Sequence, residues 1–300
     1  LRDGEGQSEI TARRETILSA GALNTPKLLQ LSGVGPAALL KRYGIELVYD
    51  AANVGQNLHE HRCIMMQVRL KSGSLNQEFA GLRLVGNMLK YLFAKSGPMT
   101  HAAHEVCAFA RTEPGADRPD AEIGIGMYSL AVVDGKVALE TVPGMTWVGY
   151  LTRPESTGHM AITSADPAAP PFIDANYLAT ENDRRRSINL LKLMRKMLAQ
   201  PVLEPFLVGE TQPGPDCQSD DDIIESFFEY GSTGYHVSGT CRMGSDAASV
   251  VDPGLKVRGV EGLSVLDTSI MPSLPSGNTN GPIMAMAWRG SEIILQRHTH

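Results

Sequence analysis

Residues 234–286 read GYHVSGTCRMGSDAASVVDPGLKVRGVEGLSVLDTSIMPSLPSGNTNGPIMAM. One histidine, His236, stands there among Gly234, Ser238, Gly239 and Thr240, small enough to let the backbone approach a flat ligand closely. A lone histidine more often supports packing than chemistry. Here a second feature accompanies it. The turn SGNTNGP sets two amides, Asn278 and Asn280, between glycine and proline, just ahead of an apolar helix expected over Gly281 to Arg297. Imidazole is the natural proton acceptor near neutral pH, and a side-chain amide can orient an alcohol oxygen.

Upstream, Thr16 to Ala20 is a short β-prone run that ends at a glycine. In NTPKLLQLSGVG, Asn24 or Thr25 suits a helix cap, Pro26 the first helical position and Gly33 a left-handed stop. A second short helix is predicted over Pro36 to Tyr43, ended by Gly44, and then a strand over IELVYD. Strand, helix, helix and strand joined by glycines describe an α/β layer. From about Arg62 to Gly231 the texture changes. Leu82, Val85, Met88, Leu89, Leu92 and Phe93 follow helical spacing, which predicts a helix covering a core, with a membrane-surface helix as the alternative. EIGIGMYSL, TWVGYLT and HMAITS predict an antiparallel sheet. ENDRRRSINLLKLMRKMLAQ is a helix with Ile188, Leu191, Met194 and Leu198 inward and its arginines outward, and DDDIIESFFEYG is another. No internal repeat or low-complexity tract interrupts this order.

Of the 300 residues, 42% are hydrophobic and 20% charged, the balance of a folded globular protein rather than a disordered one. A net charge of -6 gives no electrostatic reason to bind nucleic acid or an anionic membrane. The four cysteines are too few and scattered for a disulfide scaffold and suit a reducing, cytoplasmic compartment. No apolar run is long enough for a transmembrane helix. A G-x-S-x-G elbow and a P-loop are absent, and Gly33/Gly35 and Gly124/Gly126 lack the third glycine of a dinucleotide fingerprint. His101, His104 and Cys107 could share one helix face as zinc ligands, but no fourth ligand is evident. In His59-Glu60-His61 with Cys63, adjacent side chains point apart, so no metal site is expected. Phe109, Tyr128 and Trp147 read as ordinary core rather than pocket walls.

Four segments also carry a family resemblance. GALNTPKLLQLSGVG closely resembles a signature of the glucose-methanol-choline (GMC) flavoprotein oxidoreductases. VGQNLHEH, from Val54 to His61, is similar to their V-G-x-N-L-x-D-H element, with Glu60 where Asp is usual. LTRPESTGHMAITSADPAAPPFIDANYL resembles their R-P-x-S-x-G…S-x-D-P…N-Y-L run, and the block from Tyr235 to Pro282 matches their C-terminal block almost throughout. The segments follow the family's order and span nearly the whole chain.

The resemblance implies a fold, a cofactor and a reaction. The fold would be α/β (α+β): the C-terminal part of a Rossmann-like FAD-binding domain, with an inserted substrate domain built on an antiparallel sheet backed by helices. Its boundaries would be 1–61 and 234–297 for the FAD-binding parts and 62–233 for the substrate domain. In this family a hydride passes from an alcohol carbon to flavin N5 while a histidine takes the hydroxyl proton. His236 matches that histidine, and Asn278 the second residue that holds the oxygen. Asp267, Thr268, Asn280 and Pro282 match segments that lie along the flavin, and Gly21, Ala22 and Leu23 the turn near its nucleotide half. The family's N-terminal G-x-G-x-x-G is missing, so the chain resembles a C-terminal half, whose partners would be the N-terminal half, a small alcohol, and oxygen, a quinone or a dye as electron acceptor. The expected activity is choline-dehydrogenase-like oxidation to an aldehyde or ketone, in the cytoplasm or peripherally on a membrane. The alternatives are a non-redox relative (a hydroxynitrile lyase or a light-driven decarboxylase) and an inactive fragment that binds no FAD alone.

Overall fold

Strand β1 (Thr16–Leu18) leads into helix α1 (Gly21–Leu31) and the short helix α2 (Ala37–Arg42). The long strand β2 (Arg62–Leu70) precedes helix α3 (Gly81–Ala94). Strands β3 (Val106–Ala110), β4 (Ala121–Gly126) and β5 (Gly144–Leu151) follow, then the short β6 (His159–Ala161) and β7 (Phe172–Asp174). Helix α4 (Glu181–Leu198), strand β8 (Leu207–Gln212) and helix α5 (Asp220–Glu229) come before strand β9 (Leu263–Val265) and helix α6 (Asn280–His298). These elements are taken from a computed structural model that describes residues 2–3, 6–7, 9–133 and 136–298. They divide into two units: Leu1–Glu60, Ser156–Tyr177 and Tyr235–His300 form one, and His61–Glu155 with Leu178–Gly234 the other.

The second unit is built on an antiparallel sheet in the order β8-β2-β5-β4-β3, with Ser232–Thr233 also paired to β2. Side chains alternate across a sheet, so Ala121, Ile123 and Ile125 of β4 share one face. Gly149 of β5 lies opposite Ile123 and Ile64 in that layer. A Cβ on Gly149 would come within 2.6 Å of the Met194 sulfur, so glycine is what lets α4 approach the sheet. Leu190, Leu191 and Met194 of α4, with Ile223 and Phe227 of α5, are completely buried. At about 1.5–3 kcal/mol for each large side chain, this layer anchors the unit. Thr180 caps α4, and Ser219 with Asp222 forms a capping box on α5.

Arg186, expected on the wet side of α4, is buried and pairs with Asp120 at 3.0 Å. Asp120 also accepts from the Thr112 amide and hydroxyl, so both charges are held in a bonded cluster. HMAITS contributes β6, which among the described residues pairs with β7 alone, and residues 156–177 group with the first unit rather than with the inserted part. Phe109 is 56% exposed and so is not core, whereas Trp147 is buried. Helix α3 forms as its period predicts, but none of its residues is buried.

The first unit centres on a parallel pair, β1 beside β9, with Thr16, Ile17 and Leu18 opposite Leu263, Ser264 and Val265. Its core joins Leu29 and Val34 to Val54, Val251, Val257, Val265 and Ile270. Only Tyr49–Asp50 of IELVYD is extended, paired with Val34–Gly35. Helix α1 starts at Gly21, three or four residues before the predicted caps Asn24 and Thr25, and Pro26 lies inside it. Proline has no N–H for the Ala22 carbonyl. The Thr240 hydroxyl donates to that carbonyl at 2.6 Å and so fills the gap.

Candidate active site

His236 is 8% exposed, and Tyr235 before it is 83% exposed with a left-handed φ of 58°. A bulky side chain at that φ costs about 1–2 kcal/mol, and the turn it makes directs one ring outward and the next inward. The His236 backbone N–H donates to the buried Glu60 carboxylate at 2.9 Å. Glu60 is itself placed by its own segment. The Leu58 and Gly158 amides bond each other's carbonyls, and those of His59 and Ser238 do the same. Gly239 completes the turn, because with φ 86° a Cβ there would strike the Asn57 carbonyl at 2.4 Å.

The Asn278 amide nitrogen lies 3.3 Å from His236 Nε2. An amide nitrogen has hydrogens and no acceptor lone pair, so Asn278 donates and Nε2 carries the lone pair. That is the tautomer a general base requires. Asn278 is exposed, so the pair opens on one side. Helix α6 starts two residues later at Asn280, with no acidic residue in its first turn. Its positive end therefore lies close to the His236–Asn278 pair.

A carboxylate organises the neighbouring turns. Asp267 accepts from the Gly21 amide at 2.9 Å, the Thr25 hydroxyl at 2.5 Å and the Ser269 amide at 2.8 Å. It thus caps α1, and Thr25 serves as a bridge instead of as the predicted cap. Thr268 adjoins it, and its carbonyl accepts from the Gly239 amide, which ties 267–270 to the histidine segment. Gly21, Ala22, Leu23, Asp267, Thr268, His236, Asn278, Asn280 and Pro282 all belong to the first unit.

This residue set fits part of an FAD site. A Cβ on Gly21 would meet nothing within 4 Å, so the turn ahead of α1 has open space beside it. The Ser238 hydroxyl and His59 Nδ1 are buried without a hydrogen-bond partner among the described residues, polar atoms that suit a bound polar ring. Burial also holds the His59 imidazole below its ordinary range, which keeps it neutral. A phosphate does not fit α1, because the Asp267 carboxylate already occupies the helix's positive end. The donors here suit uncharged parts of the cofactor.

The metal candidates separate. His101 ends a short 3-10 turn, His104 lies in coil and Cys107 is on β3, so the three share no helix face. Partial burial and the Glu122 carboxylate push the Cys107 thiol up to about 11, and a protonated thiol is a poor metal ligand. Glu60 and Thr240 are the functional positions that residue reasoning left without a role. VGQNLHEH and the block at Tyr235 already contained them, but their partners lie 176 and 218 residues away.

GMC oxidoreductase matches cover residues 1–63 and 154–287. An alcohol dehydrogenase [acceptor] from Pseudomonas putida is 39% identical over 294 residues, covering 97% of this chain and 53% of the relative. An oxygen-dependent choline dehydrogenase from Brucella canis is 37% identical, covering 99% of this chain and 54% of the relative. The chain therefore spans about half the length of the curated relatives it matches. The structure of a formate oxidase from Aspergillus oryzae, an enzyme with a modified FAD, superimposes with a TM-score of 0.88 at 27% identity, over 96% of this chain and 55% of that one. With the motif order and these matches in agreement, the chain belongs to the GMC oxidoreductases, a family of FAD flavoproteins.

Proposed function

We propose that this chain supplies the catalytic C-terminal part of an FAD-dependent alcohol oxidoreductase, with His236 as general base and Asn278 as its partner. The observation that carries the reading is the amide of Asn278 at 3.3 Å from His236 Nε2. Nε2 takes the hydroxyl proton, and the Asn278 amide holds the oxygen on which negative charge grows. The positive end of α6 favours the same charge. Glu60 fixes the backbone of His236 and so acts as a positioning residue. FAD, when bound, supplies at N5 the acceptor for the hydride that leaves the alcohol carbon. The products are an aldehyde or ketone, with the proton on His236.

Gly21, Ala22, Leu23, Asp267, Thr268, Asn280 and Pro282 would hold the cofactor, with Asp267 acting through the turns it ties together. The FAD-binding parts are then 1–61 and 234–297, joined by 156–177, and the rest of 62–233 serves the substrate. The cofactor's phosphates are assigned to an N-terminal half of the protein. Two observations support that assignment: α1 has no free positive end for them, and the chain spans half the length of its relatives. The test is a panel of alcohols added without oxygen to the full-length protein, followed by peroxide and dye-reduction assays. Bleaching of the flavin spectrum with carbonyl product is the expected result, and the two assays separate oxygen from other acceptors. A flavin that no alcohol bleaches overturns the reading.

A further inference from the structure

We propose that helix α3 attaches the protein to an anionic lipid surface. At about 100° per residue, Leu82, Val85, Leu89, Leu92 and Phe93 fall within an arc of about 100°. That arc is turned outward: Leu82 is 90% exposed and Phe93 86%. The only partly covered residues of α3, Leu84 and Asn87, lie on the opposite side. Asn87 pins that side by donating to the Glu78 carbonyl and carboxylate at 2.9 and 3.0 Å. A core-covering helix would be the other way round.

The charge on α3 favours a lipid headgroup as the occupant. No acidic residue occurs between Glu78 and Glu105, although the whole chain carries -6. Arg83, Lys90 and Lys95 supply the positive charge. Arg83 and Lys90 border the apolar arc on one flank, and Arg83 also reaches Glu78 at 3.5 Å. Lys95 follows the helix, with its ammonium over the Tyr91 ring at 4.9 Å. An apolar face edged by long cationic side chains is the pattern of a helix lying at a membrane surface. At 14 residues α3 is about 21 Å long, too short to cross a bilayer core of about 30 Å, so it would lie on the surface. The proposal is independent of the oxidation chemistry, because its readout needs no turnover.

The full-length flavoprotein would be sedimented with vesicles of equal phosphatidylcholine and phosphatidylglycerol, and with phosphatidylcholine alone. Preferential binding to the anionic vesicles is expected. The double variant Leu82→Glu/Phe93→Glu should lower that binding at least about tenfold. Both positions are nearly fully exposed, so circular dichroism and Tm should not change. Lys90→Glu should weaken binding to the anionic vesicles alone. Failure to sediment, or equal binding by the double variant, overturns the proposal. So does a change of oligomeric state in that variant without vesicles, which would make a second copy the occupant. A Leu82→Cys thiol shielded from labelling in the full-length protein would assign the face to another part of the polypeptide and overturn it as well.

Discussion

Replacing His236 with alanine removes the imidazole that faces Asn278 while leaving the backbone bond to Glu60 available. Turnover of the full-length enzyme should fall about 10²-fold or more, with the flavin absorbance retained. Near-normal turnover with flavin bound would show that another group takes the proton. His236 and Asn278, which the fold brings within 3.3 Å, each sit in a short motif that singles them out in the sequence. The part played by Asp267 was not legible. Its carboxylate bonds Gly21 and Thr25, which are 246 and 242 residues away, and nothing in VLDTSIMP announces which helix it caps.

At the scale of the element, α1 illustrates what local reading omits. NTPKLL carries cap-like residues and a proline that suits a first turn, so the helix was expected to start late. It starts at Gly21 because Asp267 caps it and Thr240 takes the carbonyl that Pro26 leaves unbonded. Thr240→Val should leave the Ala22 carbonyl buried without that donor. A loss of about 1–3 kcal/mol is expected, seen as a lower Tm and a lower denaturation midpoint. Helix α3 gives the converse lesson, since its period was legible but which face would be covered was not. In the second unit, burial pushes the Asp120 carboxyl up, but the Thr112 bonds and Arg186 outweigh it and hold it below its ordinary value. A depressed folded-state value means the stabilisation is complete above the unfolded value, about pH 4, and is lost as pH falls through the folded one. Asp120→Asn should therefore flatten the acid end of the stability profile, measured by denaturation between about pH 5 and pH 2. An unchanged profile would mean Asp120 contributes nothing to it.

Across the whole molecule, the α/β plan and the antiparallel sheet were legible, while the allocation of 156–177 was decided by contacts distant in sequence. Parallel sheets are rarely found with two strands alone, yet β1 and β9 form one here. Helix α6 also exposes Met284, Trp288 and Leu295 along one side. Expressed alone, this chain should aggregate and bind FAD weakly; supplied with an N-terminal half, it should become yellow and oxidise alcohols. A soluble, yellow, active preparation of the 300 residues alone would refute that. The bond from Thr25 to Asp267 has a further consequence, in the timing of synthesis. Its partners are 242 residues apart, and a ribosome adding about 5–20 residues per second needs roughly 12–50 s to cover that distance. Over that interval α1 lacks its cap, Ala22 has no donor until Thr240 is made, and the segments of the second unit emerge. The nascent chain thus carries an uncapped α1 until Asp267 is made, and a chaperone that holds residues 16–35 would act in that window.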